Sequence, residues 1–304
     1  MAYSTLDNPL VSIITLNYNQ ADTTCQFLIS TTKLTYQNYE ILVCDMNSDE
    51  NPARKIASLQ LPKVKVFLSE HNLGFAGGNN WGMRQAKGDY IFIVNNDTEV
   101  TPHLIEQLLN PFFHDSKIGV TCPKIKFFFN PSVIQYAGFN KMNMFTGRTT
   151  SIGDREKDNG QFNDSRYTSG AHGCAMMLKR EVIDKTGMFP ELFFLYYEEW
   201  DWSTRIQKAG FEIYYQASAE IFHKESMSVG KNSPLKTYYL NRNRILYIRR
   251  NSSGFQLMIF YLFYFLFAMP KAIATFIVKK EKIHLKMFLK GIIWNLKNSS
   301  YSKV

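Results

Sequence analysis

The end of a short apolar run carries the first residues suited to bind a ligand. Asn95, Asn96 and Asp97 directly follow residues 90–94, Tyr-Ile-Phe-Ile-Val. A carboxylate flanked by amides suits a hard divalent cation, which prefers oxygen ligands. If that cation also held a diphosphate, it would neutralise the charge of a leaving group. Alternatively, Asp97 closes a turn or caps a helix beginning near Pro102, and spacing alone leaves both interpretations open.

Three acidic residues in an aromatic setting form a second candidate site. Glu198, Glu199 and Asp201 lie within FFLYYEEWDW, residues 193–202. Burial among aromatic rings raises the pKa of a carboxyl group and makes it a usable general base near neutral pH. Alternatively, the acids occupy the first turn of a helix and favour its macrodipole, with Asp201 and Arg205 as an i,i+4 pair. Since one acid can serve a site while another stabilises a helix, both interpretations stay open.

His223 and a glycine-rich segment give weaker signals. His223 follows apolar residues 219–222 near a predicted strand end, where a lone histidine is usually structural. The glycines at 74, 77 and 78 lack the GxGxxG spacing of a dinucleotide site, which argues against a nicotinamide cofactor. A glycine-rich turn that lets the backbone approach a ligand stays open.

Alternating strands and helices are expected to bring these residues together. The predicted strands are residues 10–16, 40–44, 64–68 and 90–94, and the predicted helices about 23–33 and 74–88. This alternation favours a mostly parallel sheet covered on both faces. Ligands of open α/β sheets bind beyond the strand ends, so we expect Asn17, Asp45 and Asp97 to converge at one crevice. The weakly periodic residues 139–168 indicate a long surface loop beside it.

Charge is divided unevenly along the 304 residues. The formal net charge is +9, from 35 Lys and Arg against 26 Asp and Glu. Residues 224–304 hold 15 of the basic and two of the acidic residues, a local +13, whereas residues 1–223 carry −4. Because the basic region abuts a long apolar run, this division favours a membrane surface over a nucleic acid as partner.

The C-terminal region has the pattern of a membrane-associating segment. Residues 257–269 are continuously apolar, and residues 255–278 as a whole either span a bilayer or lie in it. Beyond them, apolar residues recur at helical spacing from 285 to 296, and lysines stand at 282, 286 and 290. This pattern predicts a basic amphipathic helix on an anionic membrane.

Cysteine use and the N-terminus indicate a reducing compartment. The four cysteines are scattered without CxxC spacing, which argues against a zinc knuckle or a disulfide scaffold and favours reduced thiols. The N-terminal residues MAYSTLDNPL lack the basic and apolar regions of a secretory signal.

Five motifs, in their order along the chain, resemble family 2 glycosyltransferases. They lie at residues 11–19, 43–48, 72–80, 88–98 and, as a longer stretch, 170–223. The resemblance is closest to the rhamnosyltransferase-like branch that extends bacterial surface polysaccharides, and it covers roughly residues 10–225. It implies the GT-A nucleotide-diphospho-sugar transferase fold, an α/β fold with a mixed, mostly parallel sheet and flanking helices. Residues 1–250 are then the catalytic domain, and residues 251–304 are C-terminal membrane-associating helices.

The resemblance also implies a donor site along the crevice. Asp45 is expected to bond the pyrimidine beside the loop from Asn17 to Asn19. The implied donor-binding residues are Asn17, Asn19, Asp45, Asn47, Gly77, Asn80, Asn95 and Asn96. Asp97 takes the metal-binding place of the family's DxD motif, whose first acid is here Asn95, and His223 matches a third metal ligand of some members. The implied cofactor is Mg²⁺ or Mn²⁺.

The remaining implied roles concern the acceptor side. The base role falls on Glu199, with Glu198 as its partner in the motif and Asp201 as the alternative acid. The implied acceptor or phosphate contacts are Gly173, Trp200, Arg242 and Arg244. For the two arginines the alternative is pairing with the acidic body.

The implied activity is inverting, metal-dependent sugar transfer. One base without a protein nucleophile implies inversion at the anomeric carbon. The donor is a pyrimidine nucleotide-diphospho-sugar, either dTDP-rhamnose or a UDP-hexose or UDP-N-acetylhexosamine. The acceptor is a lipid-linked saccharide or polysaccharide at the cytoplasmic face of the inner membrane, to which the protein binds as a peripheral or monotopic protein. A catalytically inactive assembly subunit of the same fold is the alternative.

Overall fold

A ten-stranded sheet forms the centre of the computed structural model, which describes residues 8–224 and 233–301. The strands are β1 Val11–Asn17, β2 Tyr39–Asp45, β3 Val64–Leu68, β4 Tyr90–Val94, β5 Thr98–Val100, β6 Ile118–Phe127, β7 Asn130–Tyr136, β8 Arg166–Tyr167, β9 Ala175–Lys179 and β10 Glu212–His223. Their order is β3-β2-β1-β4-β9-β6-β10-β5, with β7 on β6 and β8 on β10. The four strands predicted from apolar runs are therefore confirmed.

Parallel pairing is confined to parts of the sheet. Strands β3, β2, β1 and β4 run parallel to one another, as do β6 and β10. Strand β9 is antiparallel to both β4 and β6. The predicted mixed sheet is confirmed, but parallel strands dominate only in its N-terminal half.

Helices cover both faces of the sheet and continue beyond it. They are α1 Ala21–Thr31, α2 Ala53–Ala57, α3 Gly74–Gln85, α4 Leu104–His114, α5 Arg180–Thr186, α6 Glu198–Lys208, α7 Pro234–Asn251, α8 Gly254–Phe263, α9 Met269–Val278 and α10 Lys282–Lys297, with a 3₁₀ turn at Glu191–Phe193 and a π-helical turn at Tyr264–Ala268. The β-branched and aliphatic strands β1 and β2 are buried along almost their whole length. Burial of apolar strands on both sides is what a covered parallel sheet requires.

Glycines let α3 pack close to the sheet. The expected glycine-rich turn is absent in this described segment, because α3 begins at Gly74 itself. A Cβ on Gly78 would lie 2.7 Å from the sulfur of Met46, and one on Gly82 would lie 2.6 Å from Ile14. These glycines therefore serve helix-to-sheet packing.

The loop of residues 137–165 is pinned to the sheet by a buried charge cluster. The segment contains isolated bridges in place of regular strands. Lys126 on β6 lies 3.0 Å from Asp158 and 3.1 Å from Glu220, and the buried Lys124 donates to Asn163 at 2.6 Å. Because each buried charge has a partner, the cluster fixes the loop without leaving an isolated ion.

A second core joins the C-terminal helices to the start of α6. We define this second core as Phe193, Trp200, Ile245, Leu246, Tyr247, Ile248, Phe260, Tyr264, Phe288 and Ile292. Its members come from both sides of residue 250, where the sequence predicted a domain boundary. That boundary stays a prediction, but the residues on either side of it pack together.

One long apolar helix extends from this core. Helices α8 and α9 and the π turn between them form a continuous helix of 25 residues, Gly254–Val278. Only 11% of its most apolar 18-residue stretch is buried. By length and composition it is long and apolar enough to cross a membrane. Exposed positions include Phe255, Leu266, Phe267 and Val278, each more than 60% exposed.

Candidate active site

The ends of β1 and β2 form a tightly bonded polar corner. Asn17 and Asp45 are register partners, and Asn17 Nδ2 donates to Asp45 Oδ1 at 2.6 Å. Ser48 donates to the same carboxylate from its main-chain N–H at 3.0 Å and from its hydroxyl at 2.6 Å. Asn19 and Asn47 both have positive φ and stand exposed at the edge of this corner. The two predicted strand ends therefore meet, as expected.

Hydrogen bonds connect this corner to the end of β4. Thr24 on α1 donates to Asn17 Oδ1 at 2.7 Å and accepts from Asn96 Nδ2 at 2.9 Å. Asn95 donates its main-chain N–H to Cys174 O at 2.9 Å. The chain thus turns sharply at Asn95 and Asn96, which places the next residue, Asp97, against the end of β10.

Asp97 and His223 face each other at the sheet edge. Their atoms Oδ1 and Nε2 lie 3.1 Å apart, and both residues are buried. Among the described residues neither atom has an aligned hydrogen-bond partner. Gln135 Oε1 lies 2.8 Å from His223 Nδ1, so an Nδ1–H tautomer directs the Nε2 lone pair at Asp97.

This pair fits a divalent cation. Two lone-pair donors facing each other repel unless a proton or a cation lies between them. A separation of 3.1 Å matches two neighbouring ligands of an octahedral ion with bonds of about 2.1 Å. Within residues 8–224 and 233–301 there is no group of three or more His, Cys, Asp and Glu that could hold a metal. Without a cation, burial would lower the pKa of His223, but Cys174 and Asp97 hold it well above its ordinary value.

Glu198 and Glu199 form a carboxyl pair at the first turn of α6. Glu198 is buried and Glu199 half-buried. Burial, followed by the charge of Glu199, holds the pKa of Glu198 well above its usual range. Burial also raises the pKa of Glu199 to about 7, although main-chain N–H groups favour its charged form. A carboxyl group with this pKa is half ionised near neutral pH and suits proton transfer.

An unusual backbone conformation precedes this pair. Phe194, Tyr196 and Tyr197 have φ values of 64°, 69° and 72°, and we call residues 193–197 the left-handed segment. Such conformations cost non-glycine residues about 1–3 kcal/mol each and persist where the surroundings enforce them. The carbonyl of Phe194 accepts from the first N–H groups of α3, at Phe75 and Ala76.

Asp201 does not share the position of the other two acids. It is 1% exposed, and its carboxylate accepts from Arg205 at 3.1 Å, Arg250 at 2.8 Å and Asn251 at 2.8 Å. A carboxylate enclosed by two guanidinium groups has no free face for an acceptor. The role of Asp201 as an alternative base is therefore corrected: it ties α6 to the end of α7.

Arg242 and Arg244 are also placed differently from the prediction. Both are buried. Arg242 donates to the carbonyls of Leu192 and Phe193 at 2.8 and 2.6 Å, and Arg244 donates to Thr146 O. The guanidinium groups hold main-chain carbonyls, in place of either the phosphates or the acidic side chains that were expected as their partners.

Four other predicted site residues have mainly packing contacts. Asn80 donates to Phe189 O at 2.8 Å and accepts from its N–H at 3.0 Å, which ties α3 to that loop. Gly77 is buried in α3, and Trp200 packs against Gly170 in the second core. Gly173 lies beside the Phe75 ring. Their predicted contacts with donor and acceptor stay predictions.

Rings connect the Asp97–His223 pair to the carboxyl pair. His172 lies near His223, and burial and then the charge of His223 both lower the pKa of His172. The His172 ring stacks on Phe139, with ring centroids 5.8 Å apart. Phe139 in turn lies 4.8 Å from Trp200, the neighbour of Glu199. The two pairs therefore belong to one region of the molecule. His172 lies in the motif stretch 170–223 but was given no role there, and Gln135 lies outside all five motifs.

Named relatives include two sugar transferases. The chain is 35% identical over 92 residues to the UDP-Glc:alpha-D-GlcNAc-diphosphoundecaprenol beta-1,3-glucosyltransferase WfgD of Escherichia coli, covering 30% of this chain and 36% of that one. It is 21% identical over 267 residues to the N-acetylglucosaminyl-diphospho-decaprenol L-rhamnosyltransferase of Mycobacterium tuberculosis, covering 81% and 86%. Its 25% identity over 235 residues with the O-antigen biosynthesis protein RfbC of Myxococcus xanthus covers 74% of this chain and 18% of that protein. The chain therefore spans well under half of the E. coli and M. xanthus proteins.

Solved structures confirm the predicted GT-A fold. The structure of GalNAc-T7 with UDP, GalNAc and Mn²⁺ has a TM-score of 0.60 at 17% identity, covering 80% of this chain and 52% of that one. The mannosyltransferase PcManGT from Pyrobaculum calidifontis, in complex with GDP-Man and Mn²⁺, has a TM-score of 0.58 at 15% identity, covering 95% and 87%. At these identities the likeness concerns the fold alone.

The family assignment rests on the N-terminal part of the site. Residues 12–187 match the family model described as glycosyl transferase family 2. This span includes Asn17, Asp45 and Asp97 but ends before the carboxyl pair and His223. Because the match covers more than half of the 304 residues and agrees with the fold, the chain belongs to glycosyl transferase family 2.

Proposed function

We propose that this protein is an inverting, metal-assisted glycosyltransferase that moves a sugar from a pyrimidine nucleotide-diphospho-sugar to a lipid-linked saccharide in cell-surface glycan synthesis. One observation carries the proposal: the Asp97–His223 pair, whose Oδ1 and Nε2 atoms lie 3.1 Å apart, shares a region with a carboxyl pair in which burial raises the pKa of Glu199 to about 7. A single displacement at the anomeric carbon needs a proton acceptor on the side of the attacking hydroxyl. It needs charge stabilisation, such as a bound cation, on the side of the departing diphosphate.

The chain's own residues divide the chemistry. Glu199, whose Oε2 has no aligned hydrogen-bond partner in the described part of the chain, takes the proton of the acceptor hydroxyl as the bond to the anomeric carbon forms. Glu198 is the more deeply buried acid and stays protonated beside Glu199, since two carboxyl groups in contact do not both ionise readily. Asp97 and His223 would hold Mg²⁺ or Mn²⁺. When bound, the cation supplies charge neutralisation for the departing nucleoside diphosphate.

The donor is proposed from the corner at β1 and β2. Asn17, Asp45 and the exposed Asn19 and Asn47 lie together at this corner, and their amide and carboxylate groups suit the edge of a pyrimidine base. The M. tuberculosis relative, which matches this chain over most of both lengths, is named an L-rhamnosyltransferase. That name supports dTDP-rhamnose as the donor. The E. coli relative is named for UDP-Glc, so a UDP-hexose or UDP-N-acetylhexosamine is the second candidate.

The acceptor is proposed from the membrane-facing part of the chain. Both of these relatives are named for diphosphopolyprenol-linked substrates. In this protein the exposed apolar positions of helix Gly254–Val278 and the lysines of α10 suit an anionic bilayer. We place the protein at the cytoplasmic face of the membrane, where nucleotide sugars are available.

A screen of donors tests the proposal. The purified protein is incubated with Mn²⁺, a polyprenyl-diphosphate-linked N-acetylglucosamine and each of dTDP-rhamnose, UDP-glucose and UDP-N-acetylglucosamine. We expect one donor to yield a product with inverted anomeric configuration, read by NMR. Retention of configuration would contradict the single displacement, and undiminished transfer by Asp97→Ala would contradict the cation site.

A further inference from the structure

The left-handed segment is held from the opposite side by one buried amide. Asn243 on α7 is fully buried. Its Nδ2 lies 3.0 Å from the carbonyl of Phe193, 2.7 Å from that of Leu195 and 2.7 Å from that of Tyr196. Its Oδ1 accepts from Arg242 Nε at 2.7 Å. A single amide thus collects three carbonyls that the sharp backbone turns inward.

We propose that Asn243 is a positioning residue for catalysis, which sets the place of Glu199 by holding the carbonyls of the left-handed segment. This inference rests on the proposed function. Asn243 touches neither carboxyl group and acts only through the backbone of residues 193–197.

The need for such a residue follows from the carbonyls themselves. Three converging carbonyl oxygens repel one another, and a buried carbonyl without a donor is costly. An amide nitrogen offers two N–H groups in a plane, so it satisfies several carbonyls from one point. Arg242 also donates to the Phe193 carbonyl, and α3 holds the Phe194 carbonyl. Without Asn243, the carbonyls of Leu195 and Tyr196 would lose their side-chain donor, and with it the restraint on the strained conformations at Tyr196 and Tyr197.

The consequence reaches the base because the distance along the chain is short. Glu199 is only two residues beyond Tyr197, and α6 begins between them. A relaxed segment would shift the first turn of α6 and so the carboxyl group. Misplacing a catalytic group by about 1 Å can lower the rate about 100-fold.

The same helix offers a matched control. Asn241 is also buried, and it donates to Phe288 O at 2.9 Å and accepts from Tyr264 at 2.6 Å. These contacts lie between α7 and the C-terminal helices. The same substitution at Asn241 therefore removes a buried amide of equal kind without touching the left-handed segment.

The test replaces each asparagine by its isostere. Asn243→Asp keeps the shape and the acceptor for Arg242 but loses both N–H donors. In the full-length protein with its identified donor and saturating Mn²⁺, we expect kcat to fall about 10- to 100-fold, while donor KM and nucleotide affinity change less than about twofold. Asn241→Asp should keep kcat within about threefold. Thermal unfolding of both variants measures any common loss of stability.

Two outcomes would overturn the inference. One is an unchanged kcat in Asn243→Asp, and the other is an equal fall of kcat in both variants, which would reveal a general packing effect. If the aspartate variant does not fold, Asn243→Ser, whose hydroxyl reaches fewer carbonyls, is judged by the same criterion. A wild-type protein inactive with every donor would instead contradict the proposed function.

Discussion

At the scale of single residues, the two candidate reactive pairs differ in what surrounds them. In the Asp97–His223 pair the His223 ring is oriented by the Gln135 side chain on β7. In the carboxyl pair, the pKa values are set mainly by burial, which raises them, and by backbone N–H groups, which lower them. Metal binding at the first pair should therefore weaken when the Gln135 side chain is removed. Proton transfer at the second pair should depend on pH.

Gln135 is expected to govern metal affinity. In Gln135→Leu the Nδ1 atom of His223 loses its acceptor, so the ring is no longer held with Nε2 towards Asp97. Loss of such an outer partner typically weakens metal binding 10- to 100-fold. Titration of Mn²⁺ by electron paramagnetic resonance, with the nucleoside diphosphate present, measures this directly. Gln216→Leu, on β10 where the Gln216 side chain donates to Ser218, is the control, and equal affinities in both variants would contradict the role.

Glu199 is expected to set the acidic limb of the pH–rate profile. Its carboxyl group, with a pKa raised to about 7 by burial, accepts a proton only when ionised, so kcat/KM should fall as the pH drops below about 7. Glu199→Gln should lower transfer at least about 100-fold and leave nucleotide affinity nearly unchanged.

The pH experiment is run with Mn²⁺ kept saturating at each pH, since protonation of His223 would also weaken metal binding. Glu181→Gln, an exposed acid on α5, is the control. A flat profile from pH 5 to 8 in the wild type would contradict the assignment of the base.

At the scale of elements, α3 and the left-handed segment depend on each other. Gly74 opens α3 with a φ of +67°, and a Cβ there would lie 2.5 Å from the Phe194 ring and 2.6 Å from its carbonyl oxygen. The first N–H groups of α3 donate to that same carbonyl. The glycine is therefore needed both for its backbone conformation and for its missing side chain.

Gly74→Ala is expected to lower the free energy of unfolding by about 1–3 kcal/mol, from the strained φ and the steric overlap together. Urea denaturation measures it. Because Phe194 must move, the activity per folded molecule should fall as well. Gly254→Ala, where a Cβ meets nothing within 4 Å, is the control, and equal stability of the two variants would show that the overlap is relieved elsewhere.

Elements near the sheet were predictable from sequence, and the contacts beyond it were not. Strands β3 and β4 were predicted at their observed bounds. Five residues rich in β-branched and aromatic side chains between turn signals are too short for a helix and favour a strand. The convergence of Asn17 and Asp45 followed from parallel pairing. The partners of Arg242, Arg244 and Asp201 could not be inferred, because they are main-chain carbonyls and distant side chains that no periodicity encodes. Aromatic runs likewise give no sign of whether they face protein or lipid.

At the scale of the whole molecule, charge and apolar exposure lie on the C-terminal helices. The long helix exposes large apolar side chains at several positions, and within the described residues nothing packs over them. An anionic bilayer is the partner that suits both this surface and the local excess of lysine and arginine.

Substitution on that helix should weaken membrane binding without unfolding the protein. Leu266 and Phe267 are 63% and 65% exposed, so replacing both by Ser removes apolar surface that would enter the bilayer, worth about 1.5–3 kcal/mol per side chain at full burial. We expect at least about tenfold weaker co-flotation with vesicles containing phosphatidylglycerol.

The control for that experiment is Ile29→Ser with Phe129→Ser, which removes exposed apolar side chains, 51% and 77% exposed, from the body of the protein. This pair should bind vesicles like the wild type. Equal loss of flotation in both double variants would contradict a membrane surface on the helix.

The second core has a consequence for where in a cell this enzyme can work. Phe260, Tyr264, Phe288 and Ile292 belong to one core with Phe193, the first residue of the left-handed segment, and with Trp200 on α6. We therefore expect a fragment cut after Asn251 to lose the contacts that Phe260, Tyr264, Phe288 and Ile292 contribute to this core, and with them part of its stability and activity. We propose that sugar transfer therefore takes place where the C-terminal helices reside.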